Sequence, residues 1–275
     1  MHHFLITRFN VRQPFMARLG AANHYQDKEW LEKRVDLFQR YCWPSVRRQK
    51  CGNFIWLVFF DSSTPGWLRR KVEEWSVLPQ FNAVFVDGFD DEVVDRSIKE
   101  HSQGKHDRVI TSRLDSDDMI GSSFIRTVQS VALKAGDGFV DLRGGFQYQD
   151  GAVYRISLPY NPFISWISPP SDIRSVISFR HNNAPAHGSV IEIDNGRHWI
   201  QVLHAGNLAN ELFDSADRHP AILSPDAGLT LRCILTDRGV KGVLADAGFA
   251  VRWVITRVWG RMGRYAQSVC KSIGA

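Results

Sequence analysis

Three carboxylates fall within four residues in the segment 113–118, which reads Arg-Leu-Asp-Ser-Asp-Asp and follows an apolar run. Carboxylates this close repel one another, and the cluster is costly unless cations, solvent or helix N-termini offset the repulsion. If strand geometry continues to the end of the run, Asp115 and Asp117 point to the same side. Their oxygens can then hold a hard divalent cation, which can neutralise a bound diphosphate and stabilise it as a leaving group.

Other interpretations of this acidic segment make different demands on the sequence. A solvated turn would use one aspartate to cap the following helix. An EF-hand needs Gly at position 6 and Glu at position 12 of its loop, and counting from Asp115 gives Ile120 and Arg126, which excludes it. The haloacid-dehalogenase pattern would make Asp115 the nucleophile of a phosphotransferase or hydrolase, but Met119 stands where that pattern wants Thr or Val. The capping turn and the phosphotransferase remain alternatives.

The elements around this segment alternate between strand and helix patterns. Apolar runs predict strands at residues 3–8, 53–60, 82–86 and 108–114. Helical spacing predicts helices over 29–42, where Pro44 is expected to end the helix, then around 68–75, over 91–101, and from Ser122 or Ser123 onward. Such alternation predicts a mainly parallel sheet whose ligand lies beyond the carboxyl ends of its strands. The polar side chains expected there are Thr7, Arg8, Asp61, Asp87, Asp115 and Asp117.

After residue 138 short strand patterns alternate with loops rich in Pro, Gly and Ser. Strands are predicted at 138–142, 152–156 and 175–179, and a hairpin is predicted to pair 189–193 with 199–203 across Asp194-Asn195-Gly196. Trp166 falls in a predicted loop, where it could stack on a sugar ring. The fold class is therefore α/β, with a mixed, mainly parallel central sheet flanked by helices in a single compact domain. We expect residues 1–137 to bind the main ligand, 138–238 to form an acceptor half, and 239–275 to form a tail.

Composition places the chain among ordinary globular proteins. Its 275 residues are 44% hydrophobic and 23% charged, which excludes a disordered chain or a collagen-like repeat. The four cysteines, Cys42, Cys51, Cys233 and Cys270, are widely spaced and form no zinc or disulfide pattern. The sequence has no pattern of a secretory signal or a membrane-spanning segment. We therefore expect a cytoplasmic protein.

The tail carries much of the net charge of +5. Basic residues interleave with apolar ones over 243–273, with Trp253 and Trp259 available for an interface, which predicts a basic amphipathic helix. Peripheral contact with the inner face of the membrane would suit an enzyme with a lipid-linked acceptor, and a helix packed on the domain is the alternative. A modest charge concentrated in a tail, without a recognisable module, argues against nucleic acid as a partner.

The order of several segments resembles a known family. Residues 4–10 read Phe-Leu-Ile-Thr-Arg-Phe-Asn, the helix at 30–45 carries Trp30-Leu31 and Arg34, and the strand at 53–61 ends in Phe60-Asp61. With Thr-Ser-Arg-Leu-Asp-Ser-Asp-Asp at 111–118 and Trp-Ile-Gln-Val-Leu-His-Ala-Gly-Asn at 199–207, they resemble GT-A type nucleotide-sugar glycosyltransferases. Within that group the chain is similar to the bacterial rhamnosyltransferases. The match spans about residues 3–210 and excludes the tail.

The resemblance implies a GT-A-like (Rossmann-like) fold and a role for each matching residue. Thr7 and Arg8 would grip the nucleotide, Asp61 would meet its base or ribose, and Arg113 would pair with the diphosphate or with Asp115. Asp115 would face ribose and metal. The remaining implied metal ligand in this segment is Asp117, whereas Asp118 would be an outer partner or a helix cap.

The remaining candidates for metal ligand and catalytic base lie later in the chain. The resemblance implies that a late histidine returns to the metal, with His204 the first candidate and His187 the competitor. A nitrogen ligand would favour Mn²⁺ over Mg²⁺. An inverting transferase needs a base for the acceptor hydroxyl, for which Asp141, at the end of a strand, is placed ahead of Asp150 and Asp172. A retaining transferase needs no such base, and the sequence leaves both outcomes open.

The sequence thus predicts a metal-dependent glycosyltransferase. It would use Mn²⁺ or Mg²⁺ to move a sugar, rhamnose by the resemblance, from a nucleoside diphosphate sugar to a glycan, lipid-linked or small-molecule acceptor. The two alternatives are a phosphotransferase or hydrolase with Asp115 as nucleophile, and a non-catalytic module that binds nucleotide or glycan without metal.

Overall fold

A computed structural model describes residues 1–12, 26–102, 108–149 and 152–206. The predicted tail at 239–275, the predicted boundary at 238 and the base candidate Asp150 lie outside these ranges. The division of the chain into two halves near residue 138 stays a prediction.

A seven-stranded mixed sheet forms the centre of the fold. Its strands are β1 His2–Arg8, β2 Ile55–Asp61, β3 Phe81–Val86, β4 Val109–Arg113, β6 Gly138–Leu142, β9 Ser165–Ser168 and β10 Val190–Ile193. They lie in the order β10-β6-β9-β4-β1-β2-β3. Strand β9 runs antiparallel to both of its neighbours, and the other strands run parallel to one another. The predicted α/β class with a mainly parallel sheet flanked by helices is confirmed.

A second sheet of four strands, in the order β5-β11-β7-β8, lies beside the acidic segment. It contains β5 Met119–Ile120, β7 Gly144–Gln149, β8 Ala152–Ser157 and β11 Trp199–Val202. The predicted hairpin was wrong, because β10 pairs with β6 of the large sheet whereas β11 pairs with β5 and β7. The strand predicted at 175–179 was also wrong, since Val176–Ser178 is a 3₁₀ turn. Trp166, predicted in a loop, lies in β9 with its ring 4.5 Å from that of Phe139.

The helices cover the large sheet with their apolar faces. They are α1 Lys28–Leu37, α2 Trp43–Arg47, α3 Gly66–Trp75, α4 Asp91–Ser102 and α5 Phe124–Ala132. Pro44 does not end the first helix, as the sequence predicted, because a π-helical segment, Phe38–Cys42, joins α1 to α2. In that wider turn the Trp43 N–H reaches back to the Phe38 carbonyl, and the change of register lets the chain continue past a residue with no N–H to donate.

The buried side chains of the described residues form one large cluster between β1, β2 and the helices, with smaller clusters beneath it. The ends of β1, β2 and β4 are therefore held by a fully buried sheet centre.

Every helix in the part of the chain that the structure describes is too short or too polar to cross a bilayer.

Gly145 marks the closest contact between β7 and β11. A methyl group there would lie 2.2 Å from Cδ2 of Trp199, whose fully buried ring stacks on Phe163 with the ring centroids 4.8 Å apart. We expect Gly145→Ala to lower the free energy of unfolding by about 1–3 kcal/mol, the usual cost of overpacking. Urea unfolding measures it. The control is Gly136→Ala, which meets no atom within 4 Å and should change stability by less than about 0.5 kcal/mol; equal values would contradict the packing argument.

Candidate active site

Two arginines hold one carboxylate where β1 and β4 end side by side. Asp115 Oδ1 accepts a hydrogen bond from Arg8 Nη2 at 3.1 Å, and Asp115 Oδ2 accepts one from Arg113 Nη2 at 2.7 Å. Arg113 Nε adds a longer bond of 3.3 Å to Oδ1. The parallel pairing of β1 with β4 places Ile6 opposite Arg113, so the sheet itself fixes the two guanidinium groups beside the start of the acidic segment.

These ion pairs decide the charge of Asp115. Burial alone would raise the pKa of its carboxyl, but the guanidinium groups of Arg113 and Arg8 outweigh burial and hold that pKa well below its ordinary value. Burial and the neighbouring Arg113 in turn lower the pKa of Arg8. Asp115 is therefore a charged anchor for two arginines over the whole physiological range.

A third guanidinium comes from α1. Arg34 Nη1 donates to Oγ of Ser116, and its Cζ lies 4.3 Å from the ring centroid of Trp30. Arg34 also lies close enough to Arg8 to lower its pKa. Asp115 and the neighbouring Ser116 thus bind three guanidinium groups, an arrangement with donors and positive charge to spare for an anion.

Asp117 and His204 meet on the other side of the segment. His204 Nε2 lies 3.1 Å from Asp117 Oδ2, and both side chains are partly exposed to solvent. The Gly206 N–H donates to His204 Nδ1 at 3.1 Å, which assigns the proton of a neutral ring to Nε2. His187 instead packs its ring on Phe179, with centroids 5.1 Å apart. Of the two predicted histidines, the structure brings His204 to the acidic segment.

Asp118 is the buried member of the trio. Its Oδ1 accepts a hydrogen bond of 2.8 Å from the Val202 N–H, which ties the segment to β11. Burial, followed by the nearby charges of Asp117 and Asp115, raises its pKa well above the ordinary value. No group of three or more His, Cys, Asp or Glu side chains in the described ranges is arranged to hold a metal ion. A carboxylate beside an imidazole nevertheless matches the chemistry of a divalent cation.

The side chains of Thr7 and Asp61 are buried and form hydrogen bonds within the protein. Thr7 is fully buried, and its Oγ1 accepts a 2.9 Å hydrogen bond from Trp56 Nε1. Asp61 is 1% exposed and accepts hydrogen bonds from the Ser63 N–H and from Arg12 Nε, each at 2.9 Å. Both therefore support the ends of β1 and β2 from within the protein.

Asp141 is also buried, and it holds a turn. Its Oδ2 accepts from the Tyr160 N–H and its Oδ1 from Asn161 Nδ2, both at 2.7 Å. Tyr160 has a positive φ of 52°, a left-handed conformation that costs of order 1–3 kcal/mol at a residue other than glycine. The Tyr160 carbonyl accepts a hydrogen bond from His181 Nδ1 at 2.5 Å. These contacts favour a positioning role for Asp141, and its role as base stays a prediction.

Two residues near the site have no role in the sequence prediction. Arg34 stands 82 positions before Ser116 in the chain, and the charges of Arg113, Asp115 and Arg8 act on the ring of His181. The position of Arg34 within the segments that carried the resemblance was a usable signal. No motif marks His181.

Comparison with known proteins gives matches that span most of the chain. A family model described as "putative rhamnosyl transferase" matches residues 4–215. S. aureus TarS 1–349 in complex with UDP-GlcNAc shares 13% identity over 90% of this chain and 70% of that one, with a TM-score of 0.48. A protein described as "putative nucleotide-diphospho-sugar transferase" from Desulfovibrio desulfuricans G20 shares 10% identity over 74% of this chain and 81% of that one, with a TM-score of 0.35. No curated protein matches the chain.

Proposed function

This chain belongs to the rhamnosyl transferase family whose model spans residues 4–215, and from that membership we propose that it is a metal-dependent transferase of sugar from a nucleoside diphosphate. The sugar is rhamnose or a related hexose. The acceptor is a glycan, a lipid-linked glycan or a small molecule. The tail at 239–275 would give peripheral membrane contact for a lipid-linked acceptor.

The observation that carries the proposal is the arginine cluster, in which Arg8 and Arg113 bind Asp115 and Arg34 binds the adjacent Ser116. Guanidinium groups present donors in a fork that matches phosphate oxygens. Asp115 neutralises one of the three charges and fixes the orientation of Arg8 and Arg113. The remaining donors can bind a diphosphate at the carboxyl ends of β1 and β4, where ligands of open α/β sheets bind.

Asp117 and His204 would hold the cation. The imidazole nitrogen favours Mn²⁺ over Mg²⁺, which prefers oxygen ligands. The cation would neutralise negative charge on the departing nucleoside diphosphate. If the cation binds Nε2 of His204, the proton on that nitrogen would have to move to Nδ1. The Gly206 N–H, which now donates to Nδ1, would then lose its acceptor.

The contacts of Asp115 argue against the phosphotransferase alternative. A nucleophilic carboxylate must direct one oxygen at phosphorus, whereas both oxygens of Asp115 accept hydrogen bonds from arginines. The low pKa of this carboxyl, held down by Arg113 and Arg8 against the effect of burial, also makes it a weaker nucleophile.

A thermal shift with UDP, GDP, dTDP and CDP, each with Mn²⁺ and with EDTA, tests the proposal. A ligand at 100 times its Kd adds about 2.7 kcal/mol to stability, which should raise the Tm on the order of 5 °C. We expect one base to give this shift with Mn²⁺ and much less with EDTA. Equal shifts with EDTA would favour a metal-independent binding module, and no shift with any nucleotide would contradict the transferase.

A further inference from the structure

His181 contacts the turn that leads into β9 beside Arg113, whose N–H donates to the Ile164 carbonyl at 3.3 Å. It begins the 3₁₀ segment His181–Ala186, and its Nδ1 lies 2.5 Å from the Tyr160 carbonyl oxygen. Since a carbonyl oxygen only accepts, Nδ1 must donate, and the neutral ring then carries its lone pair on Nε2. Within the described part of the chain Nε2 has no hydrogen-bond partner. The charged groups that act on the ring are Arg113, Asp115 and Arg8, the members of the proposed diphosphate site.

The turn beneath His181 is fixed from the other side by Asp141. The Tyr160 N–H donates to Asp141, and the left-handed φ of Tyr160 directs its carbonyl at the imidazole. Asp141 also binds Asn161, whose Nδ2 donates in addition to the Leu142 carbonyl at 3.1 Å. A fully buried carboxylate cannot reach a substrate, but through one peptide group it holds the ring and its tautomer. A carboxylate or carbonyl bound to one nitrogen of a histidine commonly serves to orient the other.

We propose that His181 Nε2 is the general base that takes the proton from the acceptor hydroxyl, with Asp141 as its positioning residue. The inference rests on the proposed glycosyl transfer. The acceptor oxygen forms its bond to the anomeric carbon while the bond from that carbon to the diphosphate oxygen breaks. The electron pair of the broken bond leaves with the nucleoside diphosphate, and the hydroxyl proton passes to Nε2. The imidazolium returns the proton to water after the product leaves.

The electrostatic surroundings suit a base. Burial, with the positive charges of Arg113 and Arg8, lowers the pKa of His181, against the raising effects of the Tyr160 hydrogen bond and Asp115. The ring is then neutral at pH 7 and able to accept a proton. Arg113 and Arg8 also lie where they can bind the leaving diphosphate, so the base and the leaving-group site share one cluster of residues.

The test is His181→Gln, with His101→Gln on α4 as the matched control. dTDP-rhamnose, UDP-rhamnose and GDP-rhamnose serve as donors with water as acceptor, and release of nucleoside diphosphate is measured. Positioned bases contribute at least about 100-fold, so we expect His181→Gln to lower kcat about 100-fold with the nucleotide-dependent Tm shift unchanged. In the pH profile of kcat/KM, the fall at acid pH that protonation of His181 causes in the wild type should disappear. His101→Gln should retain both rate and profile.

Three results would overturn the assignment. The first is that His181→Gln retains kcat within about threefold, and the second is that the variant still loses kcat/KM at acid pH as the wild type does. The third is that the variant loses the nucleotide-dependent Tm shift together with kcat, which would make His181 a binding residue. If the wild-type protein shows no nucleotide shift and releases no nucleoside diphosphate, the proposed function itself fails, and this assignment fails with it.

Asp141→Asn separates positioning from folding. The new amide keeps an oxygen that can accept from the Tyr160 N–H. Its NH₂ group then faces Nδ2 of Asn161, which is also a donor, so that hydrogen bond is lost. We expect a loss of about tenfold in kcat, the scale of outer-shell effects, with KM unchanged and the acid limb of the profile shifted. An unchanged pH profile in a variant that folds would contradict the link from Asp141 to His181.

Discussion

Asp117→Ala is expected to lower kcat/KM about 10³-fold and to abolish the difference between Mn²⁺ and EDTA in nucleotide binding. The variant removes one of the two side chains proposed to hold the cation and leaves His204 without the carboxylate 3.1 Å away. A metal that polarises a leaving group supplies several kcal/mol, and about 4 kcal/mol corresponds to 10³ in rate. Nucleoside diphosphate release from a rhamnosyl donor, with and without Mn²⁺, measures the loss.

The stability of the same variant separates this role from a structural one. Burial first, and then the charge of Asp117, raises the pKa of Asp118, so removing Asp117 relieves a repulsion in the folded protein. We therefore expect the ligand-free variant to be at least as stable as the wild type in urea while its activity collapses. Asp137→Ala, at an exposed acid after α5, is the control and should change neither quantity. A variant that retains its Mn²⁺ response would contradict the assignment of Asp117 to the metal.

The fold followed from the sequence where local signals and tertiary structure agree. The strands ending at Arg8, Asp61 and Arg113 are buried along most of their length, and in each the sequence shows an apolar stretch followed by a charged residue at the end of the strand. The hairpin across residues 194–196 failed because the turn signal is local, whereas pairing depends on distant residues. Gly144 and Gly145 let the Gly196 backbone and the Trp199 ring approach β7 closely, which draws β11 into the small sheet.

The site shows the same limit more sharply. The aspartates of the acidic segment are neighbours along the chain, so the sequence alone reveals that they cluster. The other residues around the segment come from three distant places: Arg34 on α1, which binds Ser116, His204 after β11, which binds Asp117, and His181 in a 3₁₀ segment with no motif. Asp141 was singled out because it ends a strand, but the orientation of its carboxylate toward Tyr160 depends on a turn whose backbone angle no spacing rule supplies. Sequence therefore predicts the chemistry of this site better than the division of roles within it.

Replacing Arg113 is expected to lower activity more than any variant here except Asp117→Ala, and also to lower the free energy of unfolding. Arg113→Met removes two of the three hydrogen bonds that Asp115 accepts from arginines. Breaking a fully buried ion pair costs about 3–5 kcal/mol and an exposed one at most about 1 kcal/mol, so this partly buried pair should cost about 2 kcal/mol at pH 7. Since Arg113 and Arg8 lower the folded-state pKa of Asp115 against the effect of burial, this stabilisation is present above the unfolded pKa of about 3.9. It is lost as pH falls through the lower folded-state value.

The difference in urea stability between wild type and Arg113→Met should therefore narrow from pH 7 toward pH 3. Charge-assisted hydrogen bonds are worth about 1.5–3 kcal/mol each, and the loss of two to the diphosphate, about 3 kcal/mol at the lower end of that range, predicts a fall of about 160-fold in kcat/KM. Arg113→Lys is the informative comparison: it keeps the charge that stabilises Asp115 but not the fork that fits phosphate. We expect it to recover most of the stability and little of the nucleotide affinity. Full recovery of both stability and nucleotide affinity would mean that positive charge alone binds the nucleotide sugar, without the paired N–H groups of Arg8 and Arg113.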